Sequence, residues 1–212
     1  MKDILVKKKI NNLYHFTNIN NLETIFSYGL LSRSALQDQN IKSYFNDSYR
    51  LDQCLDAVCM SIEFPNYKMF YKLRTQCKSI KWAVLEIDST LLVKLKCAFC
   101  WNNAANSETS RIPIEDRLGK DSLLQLFYDK EGFPKRSELK IPVNYPTNPQ
   151  AEVLVFENIL PCYIKRVIVE DEFTKNLVIT KLSKIPGNIP VIIDPSKFIG
   201  RTDYKFWQNQ GD

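Results

Sequence analysis

Apolar and polar positions along the chain divide it into short segments. "NLYHFT" (12–17) reads as a strand. "NINNLETIFSYGLL" follows with helix punctuation: Asn20 to cap, Glu23 to reach back from the third position, and Gly29 to close the end in a left-handed conformation. Leu22, Ile25 and Phe26 share one face of that helix. "AVCMSIEF" (57–64) and "KWAVLEID" (81–88) read as strands, with "NYKMFYKLRTQC" between them as a helix after Pro65. "LLVKLKCAFCWNNAAN" (91–106) passes from apolar to polar and predicts a loop at its end. "IEDRLGKDSLLQLFYD" (114–129) has helical spacing at Leu118, Leu123, Leu124 and Phe127. "AEVLVFENI" and "YIKRVIVE" (163–170) are strands, and "NIPVIIDPSKF" adds one near the end. Two long polar stretches interrupt this pattern, 32–52 and 130–150, and a compact domain rarely keeps such connections without a use for them. Strands with interspersed helices predict one mixed α/β domain over residues 1–212, built on largely antiparallel sheets.

Composition narrows the class. Of 212 residues, 44% are hydrophobic and 12% aromatic, enough for a core. The net charge of +5 permits a polyanionic partner without requiring one. No apolar run reaches the length of a membrane span, and "ILV" near the N-terminus is too short for a signal peptide. The six cysteines are scattered. Cys97 and Cys100 form one C-x-x-C, but a zinc site wants a second pair or nearby histidines, and His15 is the only histidine. The expectation is reduced, mostly buried thiols in a cytoplasmic protein, with no metal. No G-x-G-x-x-G, P-loop or H-E-x-x-H occurs, which disfavours Rossmann-type and Walker-type sites.

The candidate chemistry starts at Glu152. Strand alternation puts Ala151, Val153 and Val155 on one face and Glu152, Leu154 and Phe156 on the other. A carboxylate among apolar groups is costly unless it lies at a cleft or has partners. A strand-end glutamate bent out to solvent is the alternative. Arg50, at the end of the first polar stretch, has the planar fork that binds phosphate or carboxylate, although taken alone it reads better as an ordinary surface arginine. His15 is either a packed strand residue holding a backbone group or a donor in a ligand pocket. In 64–74, Tyr67, Phe70 and Tyr71 interleave with Lys68, Lys72 and Arg74, a pattern shared by nucleic-acid-binding surfaces and common amphipathic helices.

Taken in order, "LYHFTNINNLETIFSYGLL", "YRLDQCLDAVCMSIEFPNYKMFY", "WNNAAN" and "YPTNPQAEVLVFENI" resemble the DarT family, DNA ADP-ribosyltransferase toxins of toxin–antitoxin systems. The similarity spans about residues 12–170. It implies an ADP-ribosyltransferase fold: two mainly antiparallel sheets with flanking helices, and a cleft that holds NAD as co-substrate. It would place His15 and Thr17 on the cleft floor, Arg50 as the loop arginine acting in NAD binding and catalysis, and Glu152 as the catalytic glutamate. Tyr71 would stack on nicotinamide, and the 130–150 loop would recognise the acceptor. Asn103, Ala104 and Ala105 match an element whose contact the sequence does not assign. Lys135, Arg136, Lys140, Lys68, Lys72 and Arg74 would be the phosphate-contacting cations. The implied acceptor is a base in single-stranded DNA, thymine rather than guanine, and the implied partner is a macrodomain antitoxin. A transferase acting on RNA or protein, and a non-catalytic nucleic-acid-binding module on the same scaffold, are the competing readings. Residues 171–212 are less clearly covered by the resemblance, with Trp207 and Phe206 expected to be packing anchors.

Overall fold

The computed structural model describes residues 1–45 and 53–208. Among these described residues seven strands form the frame: β1 (Asn12–Asn18), β2 (Val58–Ile62), β3 (Trp82–Asp88), β4 (Cys97–Cys100), β5 (Glu152–Val155), β6 (Ile164–Val169) and β7 (Val191–Ile193). They lie in the order β4-β5-β2-β1-β3-β6-β7. Neighbours run antiparallel except β6 and β7, which are parallel. Around them pack α1 (Lys2–Lys8), α2 (Leu22–Tyr28), α3 (Arg33–Asp38), α4 (Tyr67–Gln76), α5 (Leu91–Lys94), α6 (Ser107–Ser110), α7 (Gly119–Gln125), α8 (Arg136–Leu139) and α9 (Glu172–Leu182).

The expected antiparallel pairing is present in one seven-stranded sheet that has two wings. β1 pairs with β3 along its whole length, from Asn12 opposite Asp88 to Asn18 opposite Trp82. With β2 it pairs only at Leu13–Ile62 and Tyr14–Ser61. One wing is therefore β1-β3-β6-β7 and the other β2-β5-β4, joined at a short seam. The period of two sorts side chains between cores. Leu13, Ala83, Leu85, Ile87, Val153 and Val155 enter the main core, while Tyr14, Trp82 and Val84 enter a second cluster on the opposite face.

Four elements depart from the expected punctuation. Asn18, not Asn20, supplies the local cap by accepting from the Asn20 N–H at 2.9 Å. Gly29 does end α2 with a positive φ of 97°, but its ψ of 171° extends the chain instead of curling it left-handed. Leu30 then exchanges backbone hydrogen bonds with Ile159. Leu118 is extended and bridges Ala98, so the helical reading of 114–129 is broken there into a 3-10 turn and α7. The tail read without a helix contains α9, whose buried Thr174, Val178 and Leu182 recur every four residues. Its β-branched residues disfavour a helix, but packing of that stripe and a cap from Asp171 to the Thr174 N–H outweigh propensity.

Cys97 and Cys100 stand three residues apart on β4 and so face opposite ways: Cys97 enters the main core and Cys100 a smaller cluster. They cannot share an ion. Burial pushes both thiols up to about 12. Among the described residues no helix is long and apolar enough to cross a membrane.

Candidate active site

Past Tyr14 the β1–β2 ladder ends, and a side chain takes over. His15 Nδ1 lies 2.9 Å from the carbonyl oxygen of Cys59 on β2. A carbonyl only accepts, so Nδ1 carries the proton, and the ring is held across the seam where the strands part. A cleft opens here, lined by His15, Thr17, Leu30, Tyr44, Met69 and Glu152 among others.

Thr17 is buried, and its hydroxyl accepts from the side-chain amide of Asn21 at 3.0 Å. Asn21 also donates to the Tyr44 carbonyl at 2.9 Å and accepts from the Tyr44 N–H at 2.8 Å and the Ser43 hydroxyl at 3.1 Å. One buried amide thus fastens the 43–44 segment to β1 and forms one rim of the cleft. Arg50 lies outside the described residues. The described residues on both sides of that stretch, Tyr44 and Phe45 before it and Ala57 and Val58 after it, line the cleft.

Glu152 opens β5 opposite Cys100 of β4 and is 6% exposed. Its face carries Leu154 and Phe156, packed with Ala98, Cys100 and Ala104, as alternation predicts. Its carboxylate is met by donors. The Ala104 N–H reaches Oε2 at 2.9 Å, the Asn103 amide reaches Oε1 at 3.1 Å, and the Asn66 amide reaches Oε1 at a longer 3.5 Å. An ionised carboxylate is acceptor-only, so this set of donors suits a charged group held in one orientation. The "WNNAAN" stretch gains its role here. The Asn102 side chain accepts from the Asn103 N–H, and Asn103 Oδ1 accepts from the Ala105 N–H, which turns the Asn103 amide nitrogen toward Glu152. Asn106 then caps α6. Asn66 works similarly: its Oδ1 caps α4 at the Met69 N–H, leaving Nδ2 directed to Glu152. Asn21 and Asn66 are functional residues beyond those expected from the sequence. Their signal was an amide at the junction of an apolar strand and a helix.

Other expected site residues lie elsewhere. Tyr71 is 67% exposed and borders a separate cleft with Arg74 and Lys78, not the one holding Glu152. Two helical residues subtend about 200°, so Met69 facing the cleft turns Tyr71 away from it. Arg74, expected on phosphate, is instead bonded to the Phe198 carbonyl and to Glu170 at 2.8 Å. Arg136 is also engaged, donating to the carbonyls of Tyr145 at 2.8 Å and Pro142 at 3.1 Å. Lys135, Lys140 and Lys72 are exposed, and Lys68 is half-buried on α4.

The model of the family described as "ssDNA thymidine ADP-ribosyltransferase, DarT" matches residues 14–199. A DNA ADP-ribosyl transferase–DNA ADP-ribosyl glycohydrolase fusion protein of Thermosipho africanus (strain H17ap60334) is 28% identical over 225 residues, covering 95% of this chain and 53% of that protein. The structure of Thermosipho africanus DarTG in complex with ADP-ribose matches with a TM-score of 0.61 and 22% identity, over 88% of this chain and 50% of that one. Thermus sp. 2.9 DarT in complex with carba-NAD+ matches with a TM-score of 0.62 and 18% identity, over 89% and 97%. The chain spans about half the length of the fusion protein it matches.

Proposed function

This chain belongs to the DarT family, and on that premise we propose that it transfers ADP-ribose from NAD to a thymine in single-stranded DNA and acts as a bacterial toxin. The observation that carries the proposal is Glu152: a nearly buried carboxylate, gripped by Asn103 and Ala104 on one wing of the cleft, facing His15 and Thr17 on the other. The residues fit a dinucleotide whose ribose sits between the wings, because both walls of the cleft offer fixed polar groups and Met69, Leu30 and Tyr44 supply apolar contact.

Transfer breaks the bond between C1′ of the ribose and nicotinamide, which leaves with the electron pair. A bond then forms from C1′ to thymine N3, whose proton is lost. Positive charge spreads over C1′ and the ring oxygen as the first bond lengthens. A carboxylate fixed nearby stabilises that state more than the ground state, which is catalysis. Glu152 also serves to hold the ribose 2′-hydroxyl, as carboxylates do where glycosidic bonds develop similar charge. His15, fixed by Cys59, presents its other ring nitrogen to the sugar. Arg50 is proposed to pair with the NAD pyrophosphate or the acceptor's phosphate, and to help the N3 proton leave to water. Thymine N3 is occupied in a duplex, so the reaction calls for an exposed base. The exposed Lys135 and Lys140 on the loop before Glu152, with Lys72 and Lys68 on α4, are the cations proposed for the strand's phosphates. The family description supports thymine as the acceptor. A macrodomain antitoxin is proposed as partner, in keeping with the relative that joins a transferase to a glycohydrolase.

The test is incubation with NAD and an oligonucleotide set, read by mass spectrometry, beside RNA and protein pools. ADP-ribose on a thymine that is lost in E152A supports the reading. Label on RNA or protein alone sinks the DNA acceptor. Equal bacterial growth with wild type and E152A sinks the toxin.

A further inference from the structure

The residues leading into Glu152 form an irregular segment that is buried, and such a segment must find partners for its backbone groups. Pro146 through Ala151 are all buried. Thr147 is bonded from three sides. Its N–H donates to the Leu126 carbonyl at 2.8 Å, its hydroxyl accepts from Arg136 at 3.1 Å, and its carbonyl accepts from Arg201 at 3.2 Å. Arg201 also donates to the Pro146 carbonyl at 2.9 Å.

Arg201 is itself buried, at 3% exposure, and so is Asp203 at 1%. The guanidinium Nε donates to Asp203 Oδ1 at 2.9 Å, and Nη2 reaches Oδ2. Asp203 Oδ2 accepts in turn from the indole of Trp207 at 3.0 Å. A buried charge pair is tolerable only when its donors and acceptors are matched, and this one matches them on the loop it touches. Between Thr147 and Glu152 the chain has little slack, because Asn148 accepts from the Ala151 N–H at 3.1 Å and the Gln150 N–H at 2.8 Å. Arg201, Asp203 and Trp207 lie beyond the stretch 14–199 that matches the family.

We infer that the Arg201–Asp203 pair is a positioning device: by holding the carbonyls of Pro146 and Thr147 it fixes the start of β5 and the loop before it, and so sets where Glu152 and the acceptor meet. The pair touches no reacting atom. A guanidinium is needed because one planar fork must serve two backbone carbonyls and a carboxylate together, which an ammonium cannot do. The inference rests on the proposed transferase reading.

Arg201→Lys and Asp203→Asn test it, the second keeping side-chain volume should the first fail to fold. In both, transfer to DNA should fall about 10²-fold, the scale of a misplacement near 1 Å, while the dissociation constant for NAD stays within about threefold of wild type. Amide exchange should quicken at 146–152 and stay slow in β1 and β3. Transfer that is unchanged, or that falls only in step with the folded fraction, overturns the inference. Should wild type transfer nothing, the transferase reading fails and exchange alone decides. Unchanged protection at 146–152 then overturns the clamp, and loss confined to that stretch upholds it as a brace of β5.

Discussion

The side-chain amide of Asn103 donates to Oε1 of Glu152 at 3.1 Å, while the next residue's N–H takes Oε2 at 2.9 Å. Two consecutive residues of one loop therefore fix both oxygens. Glu152→Gln would turn an amide nitrogen toward one of these donors, so it loses charge and orientation together. Transfer should fall by about 10²- to 10³-fold, the scale seen when aimed electrostatic stabilisation is removed. Asn103→Ala deletes one donor to a charged group, about 1.5–3 kcal/mol, and should lower kcat by tenfold to roughly 10²-fold. Single-turnover rates with saturating NAD check both, and an Asn103→Ala enzyme at full rate refutes the orienting role.

The His15–Cys59 hydrogen bond separates two duties of one ring. Asparagine can place its amide nitrogen near the Nδ1 position but has nothing at Nε2. His15→Asn should keep the melting temperature and raise KM for NAD. His15→Ala also removes the donor to the Cys59 carbonyl and should cost about 1–3 kcal/mol of stability. Calorimetry alongside NAD titration distinguishes the two. Equal NAD affinity in wild type and His15→Asn would remove the ring from the binding site.

Strand alternation was legible because buried sheets enforce it. The facing of Ala151, Val153 and Val155 against Glu152 and Leu154 follows from a period of two and is what the clusters show. Motif order brought Glu152, His15 and Thr17 to one cleft. What stayed hidden depends on contacts between distant segments. A local pattern contains aromatic and basic residues at 67–74 but not the helix phase that turns Tyr71 outward. Composition shows Arg74 and Arg136 as surface cations, whereas acceptors on Phe198, Glu170, Pro142 and Tyr145 engage their guanidinium groups. Helix α9 was masked by its β-branched residues, and only the sheet it covers makes it a helix.

The buried C-x-x-C gives a chemical prediction. With thiols pushed up to about 12 by desolvation, Cys97 and Cys100 hold almost no thiolate at pH 8. Iodoacetamide on the folded protein should modify the exposed Cys77 and Cys162 and spare this pair until denaturant is added. Peptide mapping reads the outcome. Native-state labelling of Cys97 would contradict the burial.

Glu63 supplies a pH prediction. It is buried, in a left-handed conformation with φ 60°, and its Oε1 accepts from the Asn12 N–H at 3.0 Å and from the Asn11 N–H. Burial raises its carboxyl above the ordinary 4.5, against the opposing pull of those two backbone donors. The folded state then binds more protons than the unfolded one in a window starting near 4.5 and extending upward. This group's contribution therefore declines as pH rises through the window. Glu63→Gln keeps Oε1 as acceptor and removes the titration. The drop in urea midpoint from pH 5 to 7.5 attributable to this site should vanish in the variant, and an identical pH slope in both proteins would contradict it.

Gly29 and Gly119 together separate two costs that a glycine can hide. Both have positive φ, 97° and 85°, so an alanine at either is strained in its backbone. A Cβ at Gly119 would meet nothing within 4 Å, whereas one at Gly29 would lie 2.7 Å from the Ile159 carbonyl oxygen. That oxygen accepts from the Leu30 N–H, the bond that leads the chain from α2 to the cleft wall. Gly119→Ala should therefore lose only the conformational term, about 1–3 kcal/mol. Gly29→Ala should lose more, since relieving the contact means breaking the Leu30–Ile159 bridge, and it should weaken NAD binding because Gly29, Leu30 and Leu31 line the cleft. Melting temperatures and NAD affinities for the two variants decide the matter. Equal destabilisation with unchanged affinity would mean that the bridge has no part in shaping the cleft.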